Sequence, residues 1–196
     1  MPSSELSPVL HPIPPVFNFD SRILILGSFP SVRSRQELFF YGHPRNRFWQ
    51  VLSCIFCGEG PDLVARDSAA GEGLVPETVE QEPAPPPLVP ETVEQRRRFL
   101  LAHGVALWDV VASCTVSGSS DSSIAEVVPN DIRPILSAAP ISRIYTNGQK
   151  AHQLYKRHLL PRTGRPAICL PSTSPANASC SLERLVAAWR CVAEDW

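Results

Sequence analysis

A chain of 196 residues, 43% of them hydrophobic, is long enough to bury a substantial core and is most simply one domain. It contains no run of 18 apolar residues and no basic N-terminal region followed by an apolar stretch, so we expect neither a transmembrane helix nor a secretory signal. Six cysteines without such a signal are typical of reduced intracellular thiols. We therefore expect an intracellular protein, cytoplasmic in a prokaryote or nuclear in a eukaryote.

The chain begins with a proline-rich segment, residues 1–15, which we expect to form a mobile arm or a strap over the domain of residues 16–196. Strands and helices then alternate. The predicted elements are a strand over 22–27, a helix over 46–57, a strand over 105–111, a helix over 131–138, a strand over 141–146, a helix over 148–160, a strand over 166–170 and a helix over 181–194. This order predicts an α/β fold, a three-layer α/β/α sandwich around a four-stranded, mostly parallel sheet.

An acidic insert interrupts this pattern at residues 59–95. It carries nine acidic side chains against one basic, a net charge of −8, whereas the remainder carries 17 basic against 10 acidic, a net charge of +7. A basic body favours nucleic-acid binding because phosphate neutralisation supplies most of the non-specific affinity. The alternative is that scattered arginines only keep the surface soluble.

The same insert contains a perfect repeat. Leu-Val-Pro-Glu-Thr-Val-Glu-Gln occupies residues 74–81 and again 88–95, with a proline-rich stretch between the copies. Two units are too few to build a repeat core, so we expect the insert to be disordered. The functional alternative is that the insert is an acidic docking segment, or that it mimics DNA and inhibits the site. The second copy could also start the next helix, since residues 91–101 have helical character.

Polar motifs begin where the predicted strands end. They are residues 27–31 (Gly-Ser-Phe-Pro-Ser) with 42–49 (Gly-His-Pro-Arg-Asn-Arg-Phe-Trp), 118–124 (Gly-Ser-Ser-Asp-Ser-Ser-Ile), 145–148 (Tyr-Thr-Asn-Gly) and 170–177 (Leu-Pro-Ser-Thr-Ser-Pro-Ala-Asn). The carboxyl ends of parallel strands share one edge of a sheet, so we expect the motifs to converge. The arginines and aromatic residues of the first motif pair suit phosphates and stacked bases.

These motifs, in this order, resemble those of the uracil-DNA glycosylase superfamily, most closely its hypoxanthine-DNA (deoxyinosine) glycosylase branch. The resemblance implies a monomeric enzyme, without metal or cofactor, that acts on DNA containing deaminated bases. It would flip the base out of the duplex and hydrolyse its bond to deoxyribose, with hypoxanthine preferred and uracil second. No lysine stands in the motifs, which argues against a Schiff-base lyase step.

The resemblance places Asn46 as the principal catalytic residue. An amide has no useful basicity, but its oxygen can accept a hydrogen bond from water or from a base edge, and its NH2 group can donate one. The alternative is that Asn46 only caps the following helix. Unlike the better-known uracil enzymes, residues 27–31 contain neither a carboxylate nor an amide, which favours positioning and electrostatics over activation of water by an aspartate.

A base pocket is predicted from the other strand ends. Its expected members are Gly27, Ser28, Phe29, Asn147, Ser120 and Asp121. Phe29 would stack on the base, or else belong to the core, and Asn147 would read the base edge, or else form a cap or an Asn-Gly turn. Uracil and hypoxanthine both present a carbonyl beside an N–H, so one amide could read either base.

Contacts to the DNA backbone are predicted on the flanking loops. The expected residues are Ser31, Ser34, His43, Arg45, Arg47, Ser172, Thr173 and Ser174. Short hydroxyls and N–H groups at a strand end suit phosphate binding, and the resemblance implies that the 170–177 loop compresses the DNA backbone. Taken alone, Ser-Thr-Ser-Pro would be an ordinary turn.

Other functions were weighed against the same residues. Cys54 and Cys57 have a metal-ligand spacing, but the remaining cysteines do not complete a site, so core packing is the expected role. A binding module that keeps the fold without turnover is the main rival to a glycosylase. A small-molecule α/β hydrolase or nucleotide-binding protein is disfavoured because the chain lacks a nucleophile elbow and a Gly-rich phosphate loop.

Overall fold

A computed structural model describes residues 8–57, 88–115 and 125–194. Its centre is a sheet of four parallel strands in the order β3-β2-β6-β7. These strands are β2 (Ile23–Gly27), β3 (Val105–Asp109), β6 (Arg143–Asn147) and β7 (Ile168–Leu170). The predicted four-stranded parallel sheet is therefore confirmed.

Helices cover both faces of this sheet. Within the described ranges they are α1 (Val32–Glu37), α2 (Phe48–Phe56), α3 (Val93–Ala102), α4 (Arg133–Ala138), α5 (Gln149–His158), α6 (Leu160–Thr163), α7 (Leu182–Trp189) and α8 (Cys191–Glu194). Ile23 and Ile25 of β2 pack with Phe48 and Trp189 on one face, whereas the alternate residues Leu24 and Leu26 pack with α4 and α5 on the other. This alternation, with every residue of β2 buried, gives the predicted three-layer α/β/α sandwich.

The register of the strands decides where the motifs meet. Gly27 pairs with Asp109 across β2 and β3, and Asn147 pairs with Leu170 across β6 and β7. Leu26 lies opposite Thr146, so the four strand ends form one row. The motifs at 27–31, 145–148 and 170–177 converge because each starts at this edge. The motif at 118–124 lies outside the described residues.

A second, smaller sheet was not predicted. The single strand expected over residues 105–111 ends at Asp109, and β4 (Val111–Thr115) continues in another direction. β4 pairs antiparallel with β1 (Val9–Leu10) and with β5 (Ala125–Pro129). Residues 8–15 therefore lie along the domain as a strap, and Ile13 of this strap is buried in the core.

The second copy of the repeat is partly folded into the domain. α3 begins inside it, and Thr92 and Gln95 form a capping box at its start. Pro90 is buried and its carbonyl accepts a hydrogen bond from Arg96 Nε at 3.2 Å. The disorder expected for the insert at 59–95 is therefore wrong for residues 88–95, which are folded into the domain, while residues 59–87 lie outside the described residues.

The two cysteines with metal-ligand spacing have different surroundings. Cys54 packs against the core as expected, and burial raises the pKa of its thiol. Cys57, the residue that ends α2, is exposed, so the prediction that it packs in the core was wrong. The described ranges contain no group of three His, Cys, Asp or Glu side chains that could hold a metal ion.

Among the helices in the described ranges, none has the length and apolar character needed to cross a lipid bilayer.

Replacing residues 60–86 with a short Gly/Ser linker is expected to preserve a cooperative thermal melt, because the described core is built from residues outside that range. Extending the replacement through residue 90 is expected to lower Tm, since it removes buried Pro90 and the core contact of Val89. A domain of this size loses about 2–4 °C per kcal/mol. Calorimetry of both variants checks this, and a non-cooperative melt of the shorter replacement would show that residues 60–86 are needed for folding.

Candidate active site

A cavity of about 270 Å³ opens at the row of strand ends. Its lining comes from the first motif (residues 27–31), the segment from Phe40 to Asn46, the ends of β3 and β6, and the 172–176 loop. Motifs far apart in sequence thus meet in one concavity, as expected. The size is near the lower end for small-molecule sites, which suits a single extruded nucleotide and excludes a duplex.

Asn46 lines this cavity with its amide group in a defined orientation. The side-chain oxygen accepts hydrogen bonds from the Phe48 N–H and from the Thr173 hydroxyl, both at 3.0 Å. A backbone N–H can only donate, so the atom facing Phe48 must be the oxygen. The NH2 group has no hydrogen-bond partner among the described residues, and it is the part left to face a ligand. Asn46 therefore satisfies the first N–H of α2 from the position before Arg47, which is the N-cap residue of that helix. The catalytic role of Asn46 stays a prediction.

Thr173 joins three motifs and is fully buried. Its hydroxyl donates to Asn46 and accepts from Asn147 Nδ2 at 2.9 Å, while its backbone N–H donates to Asn147 Oδ1 at 3.0 Å. A buried hydroxyl with both roles occupied cannot contact a phosphate, so the prediction that Thr173 binds DNA was wrong. It fixes the 170–177 loop against α2 and β6.

Asn147 lines the cavity, but Thr173 occupies both ends of its amide group. The expected bidentate reading of a base edge would need these hydrogen bonds to break, while one amide N–H and one oxygen lone pair of Asn147 stay available. In this structure Asn147 anchors the 170–177 loop. Neither alternative weighed for Asn147 anticipated this contact, because it joins residues 26 positions apart.

Arg47 also has a structural role. Its guanidinium donates to the backbone carbonyls of Cys180, Ser174 and Asn177, the last at 2.8 Å. Its own N–H donates to the Thr173 carbonyl at 3.1 Å. In this structure the side chain holds the 170–180 segment in place, and the DNA contact of Arg47 stays a prediction.

Four of the residues predicted to contact the DNA backbone have a donor group available to a ligand. Ser172 and Ser174 line the cavity, and each hydroxyl oxygen accepts from a backbone N–H two residues ahead, at 3.2 and 3.3 Å. Each O–H is therefore left to donate. His43 Nδ1 accepts the Arg45 N–H at 3.1 Å, which places the proton of a neutral imidazole on Nε2. Arg45 itself is exposed.

Ser31 and Ser34 organise the first motif. Ser31 caps α1 and accepts from the Ser34 N–H at 3.2 Å. Ser34 is 3% exposed, and its hydroxyl oxygen accepts from the Gly42 N–H at 3.2 Å. Both serines line the cavity, but Ser34 is too deeply buried for the backbone contact predicted for it. Its role is to hold residue 42 against α1.

The other predicted pocket residues lie at the end of β2. Gly27, Ser28 and Phe29 all line the cavity. Phe29 is half-buried, packs partly against the core and carries the Arg35 guanidinium 5.5 Å from its ring centroid. Partial core packing is therefore observed for Phe29, and its stacking on a base stays a prediction. Ser120 and Asp121 lie outside the described residues.

Sequence reasoning missed Asp109 and His11. Asp109 ends β3, lines the cavity and is bonded to His11 Nε2 at 2.8 Å. The strand-end rule could have found Asp109, since a carboxylate closing an apolar strand is a signal of the same kind as Asn147. His11 gave no signal, because it lies in the proline-rich strap 98 residues away from its partner.

A model of the uracil DNA glycosylase superfamily matches residues 14–193. The chain belongs to the uracil-DNA glycosylase superfamily. Two relatives, both named hypoxanthine DNA glycosylase, align with most of the sequence of this superfamily member. The one from Methanosarcina acetivorans is 31% identical over 172 residues, covering 87% of this chain and 90% of that protein. The one from Methanosarcina barkeri is 27% identical over 165 residues, covering 84% and 85%.

A solved structure has the same fold as this member of the superfamily. It is a solution NMR structure from Methanosarcina acetivorans, named a "putative Uracil DNA glycosylase", with a TM-score of 0.65 and 28% identity. The match covers 92% of this chain and 96% of that one. The family resemblance seen in the motifs is thus confirmed over nearly the whole length.

The position of Asp109 adds a carboxylate to the cavity of this superfamily member. Residues 27–31 contain no carboxylate, yet the fold brings one beside them from β3. A Cβ atom at Gly27 would overlap Asp109 Oδ1 and would lie 3.0 Å from the Tyr41 hydroxyl oxygen. Glycine is therefore required at position 27 by the close approach of this carboxylate.

Proposed function

We propose that this protein is a monofunctional DNA glycosylase that removes deaminated bases from DNA, hypoxanthine first and uracil second. Water adds to C1′ of the deoxyribose, the glycosidic bond breaks, and its electron pair leaves with the base. The water loses a proton and the departing base gains one, so the products are an abasic sugar and a neutral free base. The sugar is cationic and the base anionic in the transition state, which sets what the site must stabilise.

The observation that carries this proposal is the orientation of Asn46. Its oxygen already holds two donors, so only the NH2 group is free to interact with a substrate in the cavity. A donor cannot take a proton from water, but it can stabilise negative charge that develops on a base oxygen or ring nitrogen. Asn46 is therefore assigned to the leaving base, and water activation is assigned to no residue.

The rim supplies groups suited to phosphate. The Ser172 and Ser174 hydroxyls, His43 Nε2–H and exposed Arg45 are all donors, and the phosphate backbone offers only acceptors. Arg45 adds a positive charge, which contributes salt-dependent affinity for any DNA sequence. With the 170–177 loop fixed through Thr173, these donors form a rigid surface for a kinked strand.

The absence of a lyase step is supported by the placement of the lysines. The full chain contains two, Lys150 and Lys156. Both lie on α5, and neither lines the cavity. An amine that forms a Schiff base must reach C1′ of the sugar, so these positions favour simple hydrolysis.

The comparisons support hypoxanthine as the first substrate, since both relatives carry that name over more than four-fifths of their length. We expect the protein to be intracellular and to act as a monomer. The rival proposal, a module that binds damaged DNA without turnover, predicts the same rim contacts and no base release.

Single-turnover assays separate these two functions. Four labelled duplexes, each with one deoxyinosine, deoxyuridine, deoxyxanthosine or mismatched thymidine, are incubated with excess protein and chelator, followed by alkaline scission of abasic sites. Release from the deoxyinosine strand is the expected result. Release of uracil alone would show that uracil, and not hypoxanthine, is the substrate. Tight binding without release of any base would refute the glycosylase and support the binding module.

A further inference from the structure

The floor of the cavity carries a carboxylate that the mechanism above does not use. Asp109 lines the cavity, yet only 5% of its side chain is exposed, whereas Ser172 and Ser174 are half-buried. Its position is fixed from the backbone as well, because Asn130 Nδ2 donates to the Asp109 carbonyl at 2.9 Å. The deepest group in a pocket for a flipped base meets the base edge, and the sugar stays near the mouth.

His11 fixes the state and direction of this carboxylate. His11 Nδ1 accepts the Ile13 N–H at 3.2 Å, so that nitrogen carries no proton and the ring proton lies on Nε2. Nε2–H then donates to Asp109 Oδ2 at 2.8 Å. The imidazole is 98% buried and is held by the strap, whose His11 N–H donates to the Ala112 carbonyl at 2.8 Å. Oδ1 is left on the Gly27 side of the cavity.

A carboxylate that can only accept discriminates between deaminated and unmodified bases. Hypoxanthine carries N1–H and uracil carries N3–H beside a carbonyl, whereas adenine and cytosine carry a bare ring nitrogen at the corresponding position. Asp109 would bond the N–H and would face a lone pair on the unmodified base. A polar site of this kind rejects an analogue that lacks the matching group far more strongly than an apolar pocket does.

We propose that Asp109, oriented by His11, accepts the imide N–H of the extruded base and so selects hypoxanthine and uracil over adenine and cytosine. Asn147 was the predicted reader of this edge, but its amide is bonded to Thr173. Asp109 is thus a specificity residue, and His11 is a positioning residue contributed by the N-terminal strap. This inference rests on the proposed glycosylase function for its substrate.

The test compares Asp109→Asn with the wild type on matched duplexes. One contains deoxyinosine and the other deoxyadenosine, each also as the 2′-fluoro analogue that slows cleavage and permits binding measurements. Asparagine keeps the size of the side chain but can turn its NH2 toward adenine N1. The preference for deoxyinosine is the Kd of the deoxyadenosine duplex divided by the Kd of the deoxyinosine duplex. This ratio is expected to fall at least about tenfold, and the rate of hypoxanthine release is expected to fall with it. A duplex with an abasic-site analogue, which has no base to read, should bind both proteins alike.

His11 provides a second route if the asparagine variant fails to fold. His11→Ala is expected to reduce the same Kd ratio, and His11→Gln, whose amide can still donate to Asp109, is expected to restore part of it. A structural defect alone would weaken both duplexes equally. An unchanged ratio in the Asp109 variant, or equal loss for both bases, would overturn the inference and assign Asp109 to chemistry common to all substrates.

The binding ratio also separates this inference from the proposed function. A wild-type protein that prefers the deoxyinosine duplex but releases no base would retain the edge-reading role and refute the glycosylase. A wild-type protein that releases hypoxanthine but binds the two 2′-fluoro duplexes equally would support the glycosylase and refute the edge-reading role of Asp109.

Discussion

Replacing Asn46 with alanine is expected to slow single-turnover release of hypoxanthine by at least about tenfold, or roughly 1.4 kcal/mol of activation barrier. The reason is that the variant removes the Asn46 NH2 group, which we propose stabilises the leaving base. Affinity for the duplex is expected to change little, because the rim donors supply the phosphate contacts. The measurement is single-turnover cleavage alongside duplex binding at fixed salt.

Alanine also removes the hydrogen bond from the first N–H of α2 to the Asn46 oxygen, so a matched control is needed. The Asn46 oxygen satisfies the Phe48 N–H, and loss of such a contact costs about 1 kcal/mol of stability. Asn46→Asp keeps an oxygen for Phe48 and for the Thr173 hydroxyl while it removes the NH2 donor. We expect this variant to retain the wild-type Tm and still to lose at least about tenfold in hypoxanthine release.

Two results would contradict this assignment. Wild-type cleavage by Asn46→Ala would remove Asn46 from the mechanism altogether. Full activity of Asn46→Asp, combined with loss in Asn46→Ala, would show that the oxygen and its cap matter and that the NH2 group does not.

Thr173→Val is expected to reduce both stability and cleavage, although Thr173 touches no substrate. Valine has a similar shape but lacks the hydroxyl that donates to Asn46 and accepts from Asn147. Leaving buried polar groups without partners costs about 1–3 kcal/mol each. Asn46 would lose one of the two contacts that orient its amide, so we also expect hypoxanthine release to fall at least about tenfold.

Thr173→Ser is the control for this substitution, because serine keeps the hydroxyl and removes only a methyl group. It should retain most of the cleavage rate, with a small loss of Tm from the missing methyl contacts. Thermal melts and single-turnover cleavage of the two variants decide the matter. A valine variant as stable and as active as the wild type would mean that other contacts hold the 170–177 loop.

Local sequence patterns predicted the framework well. The apolar run that forms β2 ends at Gly27, the amphipathic spacing of α7 buries Leu185 and Trp189, and Ser181 caps that helix by accepting the Arg184 N–H. These features depend on side-chain period and on backbone groups a few residues apart. The convergence of the motifs was predictable for a related reason, since parallel strands place their carboxyl ends along one edge.

The roles within the motifs were not predictable from the same patterns. The side chains of Arg47, Thr173 and Asn147 are suited to DNA contacts, but in the structure they join segments of the protein. Arg47 donates to a carbonyl 130 residues away, and Asn147 is bonded to Thr173, 26 residues away. A residue type fixes which hydrogen bonds are possible. The packing around it decides which partner lies within 3 Å.

The sequence by itself determined the family, the parallel sheet and the edge at which the site lies, because these follow from motif order and hydrophobic period. Only the tertiary structure decided that Phe48 and Thr173 take up the Asn46 oxygen and that a strap histidine meets a strand-end carboxylate. Both depend on contacts between segments with no local relation in the chain: Asn46 with Thr173, and His11 with Asp109. Such contacts form only when the folded sheet has brought the segments together.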